Sequence, residues 1–164
     1  MMNQVFESDN ISFVKVSEEL LPDYLTMVND KATAWWIGHL TEPFSEEAEI
    51  EWIRQKIEDK ALIWSMIEKQ TGRFIGNIEI MDLHDAVGEL GISITPGMQE
   101  KGYGTEAIRA LTEYAFKCLK LKRIFLKAYP ENTRAIHVYE KCGFREYDRN
   151  DADVFMELWN SCKS

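Results

Sequence analysis

The chain has 164 residues, 45% of them hydrophobic and 5 of them tryptophan, which is enough apolar surface for one substantial core and one domain over residues 1–164. Its formal charge of -9 argues against general nucleic-acid binding, which needs clustered lysine and arginine, and is more compatible with a cationic substrate. No run of about 18 apolar residues predicts a membrane span, and the stretch from Met1 to Glu7 lacks the basic-then-apolar layout of a secretion signal, so the expected compartment is the cytoplasm.

In chain order, Asn10 to Lys15 predicts a first strand, followed by a helix from about Glu18 to Val28. The segment from Thr33 to Leu40 has no clean period and reads as irregular. Its Trp35 and Trp36 are expected in the core, with the lining of an acceptor pocket as their second reading. Ser45 is placed to cap a helix in which Ala48 joins Ile50, Trp52 and Ile53, and such a helix-loop-helix has the layout of a lid. The acids Glu42, Glu46, Glu47, Glu49 and Glu51, and again Asp148, Asp151 and Asp153, read as solvated faces. Leu62 to Glu68 and Phe74 to Ile80 alternate well across a hairpin turn at Gln70 to Arg73, and these antiparallel strands lead into another from Glu89 to Ile94.

That strand ends at Thr95-Pro96-Gly97, and the glycine-broken loop Gln99-Glu100-Lys101-Gly102-Tyr103-Gly104-Thr105 follows. The loop runs into a helix on which Ala107, Ile108, Leu111, Tyr114, Ala115 and Cys118 recur at helical spacing. Two glycines free the backbone to turn its N–H groups toward one point, and the helix adds its positive N-terminal pole, so an anion is the natural occupant. Arg123 to Tyr129 is a further strand, which completes a βαβ unit whose two strands are expected to be parallel.

Asn132 is a good N-cap for a helix that carries Ala135, Val138, Tyr139 and Cys142 on one stripe. Gly143 stops that helix and Phe144 packs back. Phe144 to Asp148 and Val154 to Trp159 read as a closing hairpin. The order gives a mixed α/β or α+β architecture: a twisted, mostly antiparallel sheet with one parallel crossover, flanked by helices. Cys118, Cys142 and Cys162 are odd in number and lack metal-ligand spacing, so packing is their expected role, with no disulfide and no metal. His39 and His84 read as surface loop residues, and His137 lies off the apolar stripe.

Three phosphate loops compete for the stretch at Gly102. A Walker loop ends in Gly-Lys-Ser/Thr, where this chain has Gly104-Thr105-Glu106. A dinucleotide fingerprint is satisfied in its permissive form by Gly102, Gly104 and Ala107, but the polar stretch from Thr95 to Lys101 separates it from the strand end. The Gln/Arg-x-x-Gly-x-Gly/Ala loop is met at every position by Gln99, Gly102 and Gly104, and a second signature follows from Asn132 to Phe144. Together the two stretches resemble the GNAT acetyltransferases, nearest to the branch of ribosomal-protein N-terminal and spermidine acetyltransferases.

The resemblance implies that acetyl-CoA is the co-substrate, with its pantetheine arm along Ile92, Ser93 and Ile94 as an added strand and its pyrophosphate on Gln99, Glu100, Lys101, Gly102, Tyr103, Gly104 and Thr105. By the same resemblance, Asn132 contacts the cofactor arm and Arg134 is a weaker candidate for the remote phosphate. Tyr139 is the general acid that protonates the departing thiolate, and Glu89 ranks first as base, through water if needed. No Ser-His-Asp or Cys-His order suggests a covalent acyl-enzyme, so direct transfer in a ternary complex is expected. The acceptor is a small amine such as a polyamine, or a protein N-terminus; a non-catalytic acyl-CoA-binding regulatory module is the alternative. Family members often pair, which leaves a homodimer open.

Overall fold

A computed structural model of the chain describes residues 3–161, so Cys162 lies outside the described residues. The strands are β1 (Gln4–Glu7), β2 (Ile11–Lys15), β3 (Leu62–Glu68), β4 (Phe74–His84), β5 (Val87–Ile94), β6 (Arg123–Ala128), β7 (Arg145–Arg149) and β8 (Val154–Trp159). The helices are α1 (Leu21–Val28), α2 (Lys31–Gly38), α3 (Glu46–Glu58), α4 (Tyr103–Lys117) and α5 (Thr133–Lys141). All described strands lie in one sheet of order β1-β2-β3-β4-β5-β6-β8-β7, antiparallel throughout except for β5 and β6. The mixed sheet with one parallel pair is therefore as the element order predicts. β1 is an addition to the sequence reading, paired with β2.

The sheet is covered on both faces, and β3 shows how its sequence permits this. Trp64 and Met66 enter the core shared with α4, while Ile63 and Ile67 enter the core shared with α1 and α3. Period-two alternation sends neighbours to opposite faces, so a strand with apolar residues at both parities is buried on both. Ile108, Leu111 and Ala115 of α4 pack over Ile78, Ile80, Leu90 and Ile124 on one side. Tyr24 of α1 and Ile53 of α3 pack over Val14, Ile63 and Phe74 on the other.

Tyr24, Ser65 and Asn77 satisfy one another between the layers. The Ser17 amide donates to Tyr24 Oη at 3.3 Å, Tyr24 Oη lies 2.5 Å from Ser65 Oγ, and Ser65 Oγ donates to Asn77 Oδ1 at 2.7 Å. Burial, offset in part by these bonds, raises the pKa of the Tyr24 phenol, so it keeps its proton and can donate.

The segment that the sequence left irregular is helix α2. Asp30 caps it, its Oδ2 accepting from the Thr33 amide at 3.0 Å and from Thr33 Oγ1 at 2.9 Å. The apolar period is weak because only Thr33 and Ala34 of this short helix are buried. Trp35 and Trp36 are 45% and 40% exposed, so the expectation of core tryptophans fails here. His39 follows α2 as expected of a loop residue, but it is half-buried and not on the open surface. It is the left-handed C-cap of α2, with its ring stacked between Trp35 at 4.1 Å and Tyr129 at 3.9 Å, and its Nε2 is buried 3.9 Å from Glu131 Oε1. Cys118 also departs from expectation: it caps α4 and is exposed, because the apolar stripe ends with the helix.

The turn before β2 is stapled to α4 by Glu106, which accepts from Ser8 Oγ at 2.5 Å, the Asn10 amide at 2.8 Å and Asn10 Nδ2 at 2.9 Å. Partial burial pushes this carboxyl up, but the three hydrogen bonds together outweigh it and leave the pKa lowered. Its stabilising contribution is therefore fully present above the ordinary carboxylate range and is lost as pH falls through the folded-state value. Glu106→Ala is expected to cost about 1–2 kcal/mol at neutral pH, discounted for solvent screening. Urea titrations at neutral pH and in the acid range check this, since the wild-type advantage must shrink on acidification.

Candidate functional site

The parallel pair β5 and β6 is joined only at its start, with Val87, Gly88 and Glu89 opposite Arg123, Ile124 and Phe125. β5 then continues to Ile94 along β4 alone, and β6 continues to Ala128 along β8 alone. The two strands splay, and the residues from Leu90 to Ile94 have one unpaired edge. Thr95 donates to Ile75 O at 2.8 Å, toward β4, and strand backbone polarity alternates, so Ile94 presents its backbone groups to the opening. There Gln99 Nε2 donates to Ile94 O at 2.9 Å, which ties the glycine loop to the open edge.

The register of β5 depends on Gly76 in β4. A Cβ at Gly76 would lie 1.9 Å from Ser93 O and 2.9 Å from Ile94 Cα, so no larger residue fits while the strands keep their places. The lone glycine inside an apolar strand marks close backbone approach.

Beyond Gln99 the loop leads into an uncapped helix end. Gly102 is the N-cap of α4 at φ 85, a left-handed conformation that favours glycine, and it has no side chain with which to cap the helix. The amides of Tyr103, Gly104 and Thr105 meet no backbone or side-chain acceptor among the described residues. These orphan donors at the positive end of a helix dipole suit a phosphate oxygen. Gly104 lies inside the first turn; a Cβ there would sit 3.8 Å from Val138 Cγ1, an ordinary contact, which agrees with a motif that admits alanine.

Around this cradle the side chains divide. Lys101 is exposed, without an ion pair or hydrogen bond among the described residues. Glu100 pairs with Arg134 at 2.8 Å, so Arg134 neutralises an acid in the loop and is already engaged. The Tyr103 hydroxyl bonds Glu68 at the end of β3. That hydrogen bond, with burial and the carboxylate charge, pushes the phenol up to about 12.

Helix α5 lies beside α4. Asn132 caps it, Oδ1 accepting from the Ala135 amide at 3.3 Å, and Cys142 Sγ approaches Thr105 O at 3.7 Å at the other end. Gly143 leaves the helix at φ 95, and buried Phe144 meets the Tyr139 ring edge-on at 6.3 Å, as the sequence predicts. The stripe of α5 is only half-buried: Ile136, Val138 and Tyr139 pack against the core, yet none is fully enclosed. The Tyr139 hydroxyl has no hydrogen-bond partner among the described residues. Burial, aided by neighbouring Cys142, pushes its pKa up to about 12, so the phenol stays protonated throughout the neutral range.

Glu89 is the last residue of β5 paired to β6, at the apex of the splay. Its carboxyl is raised chiefly by burial. Lys127 opposes the rise, and Asp82, Glu79 and Asp153 add to it. Strand alternation puts Glu89, Gly91 and Ser93 on the face toward α1 and α3, with Met81, Glu79 and Asn77 opposite them on β4. On that face a cavity of about 180 Å³ is lined by Ile92, Ser93, Asn77, Glu79 and, from α3, Glu49 and Trp52.

Glu49 was grouped in sequence with solvated acids, and the structure separates it from them: it is buried at 4% exposure, while Glu46, Glu47 and Glu51 are exposed. The available signal was its spacing of three and four residues from Trp52 and Ile53, which puts it on the inward face of the helix. His84, at the end of β4, is exposed beside Asp85, as a surface residue is expected to be.

Comparison with known proteins is consistent with this geometry. Residues 10–145 match the family described as Acetyltransferase (GNAT) domain. A spermidine N(1)-acetyltransferase of Vibrio cholerae serotype O1 is 31% identical over 120 residues, covering 72% of this chain and 68% of that protein. Among solved structures, an acetyltransferase (GNAT family) from Bacillus anthracis superposes with a TM-score of 0.84 at 21% identity, covering 98% of this chain and 99% of that one. Spermidine N-acetyltransferase from Vibrio cholerae, crystallised in complex with CoA and spermine, gives 0.83 at 24% identity, over 94% of this chain and 98% of the other.

Proposed function

This chain belongs to the GNAT acetyltransferase family, and from that premise we propose that it transfers acetyl directly from acetyl-CoA to a small primary amine within a ternary complex. The observation that carries the reading is the unpaired edge of β5 running into an uncapped α4 N-terminus, an arrangement that suits an amide-bearing arm followed by a pyrophosphate. The residues present fit acetyl-CoA, since Ile92 and Ile94, on either side of Ser93, offer backbone groups to the arm and Gly102, Tyr103, Gly104 and Thr105 offer amides to the phosphates. Acetyl-CoA would supply the activated acetyl thioester.

In this reading, amides at the open edge of β5 hold the thioester oxygen as negative charge develops on it. Tyr139, protonated at neutral pH, donates its proton to the departing sulfur. Glu89 takes a proton from the incoming ammonium, directly or through water, since an alkylamine titrates near ~10 and must lose that proton to attack. The side-chain nitrogen of Asn132, whose oxygen is used for capping, is available to the cofactor arm. A polyamine is the foremost acceptor, supported by the net charge of -9 and by the spermidine-acetylating relative, with a protein N-terminus as the second class.

Release of CoA from acetyl-CoA, followed with a thiol reagent across polyamines, amino acids, aminoglycosides and short peptides, tests the reading. Turnover is expected with one amine class. Tight acetyl-CoA binding with no amine acetylated would transfer support to a regulatory module, and absence of binding would undo the cradle argument altogether.

A further inference from the structure

Glu49 has surroundings that folding alone does not explain. Its carboxylate makes no hydrogen bond and no ion pair among the described residues, although the residue is 96% removed from solvent. Burial alone, with no opposing partner, raises its pKa. The exposed Glu46 and Glu47 already place favourable negative charge at the α3 N-terminus, so the helix dipole gives no reason for a third acid to turn inward. Lys56, the cation on the same helix face, is paired with a second acid of the same cavity wall: its Nζ bonds Glu79 Oε1 at 3.4 Å, and no ion pair joins it to Glu49 among the described residues.

The space beside Glu49 is the cavity of about 180 Å³ that reaches Ile92 and Ser93 on the unpaired edge of β5. Its other walls are mostly hydrocarbon, from Met27, Leu40, Phe44, Trp52 and Ile63, with Asn77 already fixed by Ser65 and Glu79 already paired with Lys56. A partly open, largely apolar space with one unpartnered carboxylate matches a cation carried on a short hydrocarbon arm, because the carboxylate needs a charged donor and the walls need methylenes. The volume is below the ~300 Å³ at which whole drug-sized ligands are accommodated, so it suits one end of a molecule.

We propose that Glu49 and this cavity bind the ammonium group of the acceptor amine together with its first few methylenes. The inference rests on the acetyl-transfer reading for the identity of the visitor, and the geometry of the carboxylate stands apart from it. Tyr139 acts at the thioester sulfur and Glu89 on the proton of the attacking nitrogen; Glu49 selects which amines arrive there.

The test is calorimetric titration of n-butylammonium chloride, with n-butanol as the uncharged control, into the protein–CoA complex of the wild type and of Glu49→Gln. The wild type is expected to bind n-butylammonium in preference to n-butanol, and Glu49→Gln to weaken that binding by about tenfold or more, with CoA affinity unchanged and the melting temperature equal or higher. Equal binding of n-butylammonium by both proteins overturns the proposal, as does a wild type with no preference for the charged probe. That second comparison needs only the wild type, so it decides even where the variant does not fold. The amine-panel assay separates the two readings. Turnover with an acceptor KM unmoved in Glu49→Gln sinks the role of Glu49 alone, and selective n-butylammonium binding without any turnover sinks the reaction alone.

Discussion

Tyr139→Phe is expected to lower kcat by about 10²- to 10⁴-fold, the range supplied by a positioned general acid, while acetyl-CoA affinity and the melting temperature stay at wild-type values. The two halves of that result come from different features of the site. The hydroxyl bonds nothing among the described residues, so its removal strands no partner and costs the fold no hydrogen bond. The ring, half-buried against the core and edge-on to Phe144, is retained by phenylalanine.

What phenylalanine cannot do is donate a proton to a thiolate. With its pKa pushed up to about 12 by burial and by Cys142, the wild-type phenol carries that proton over the whole neutral range. The basic limb of the wild-type pH–rate profile should therefore lie well above neutrality. Steady-state kinetics and calorimetry of acetyl-CoA binding check the prediction together. A Tyr139→Phe enzyme with normal kcat would reduce Tyr139 to a packing residue, whereas a fall in melting temperature with unchanged kcat would mean that the hydroxyl has a structural partner.

Gly76→Ala is expected to have the largest effect on stability, about 3 kcal/mol or more, which for a chain of this size corresponds to a melting-temperature drop of roughly 6–12 °C. Its added Cβ would overlap Ser93 O, a backbone atom in a central strand that cannot rotate away as a side chain would. Relief requires β5 to move from β4 at the point where Ser93 and Ile94 form the open edge, so the folded remainder should also bind acetyl-CoA poorly. Thermal melts with and without acetyl-CoA separate the two losses. A variant that melts normally would show that β4 and β5 slide past one another at little cost, against the tight interior packing that the prediction assumes.

Much of this organisation is legible in the residues. Alternation in Leu62 to Glu68 and Phe74 to Ile80, the helical spacing from Ala107 to Ala115, and the Asn132 cap and Gly143 stop are local signals set by dihedral preference and burial period, and each corresponds to an element in the structure. The loop from Gln99 to Thr105 could be read as an anion site because conformational freedom at glycine and the helix dipole act over a few residues. The family follows from two such local signatures taken together.

Other features depend on groups far apart in sequence. α2 escaped the reading because an eight-residue helix that buries only Thr33 and Ala34 displays no period, and its cap at Asp30 and the stacking of His39 on Tyr129 hold it in place. Likewise, the exposure of Trp35 and Trp36 could not be told from composition, since whether a tryptophan is covered depends on which element arrives above it. The splay of β5 from β6 is a property of strand pairing, and the requirement for glycine at position 76 is set by the carbonyl of Ser93 on the neighbouring strand.

The clearest division is among the acids between Glu42 and Glu51. That α3 is acidic and amphipathic follows from the order of its residues, because that is a matter of helix period. That Glu49, alone among the acids of its first turn, is buried against α1, β3 and β4 without an ion pair among the described residues comes from how those elements pack. Burial is a sum over contacts that span the chain, and no local pattern contains that sum.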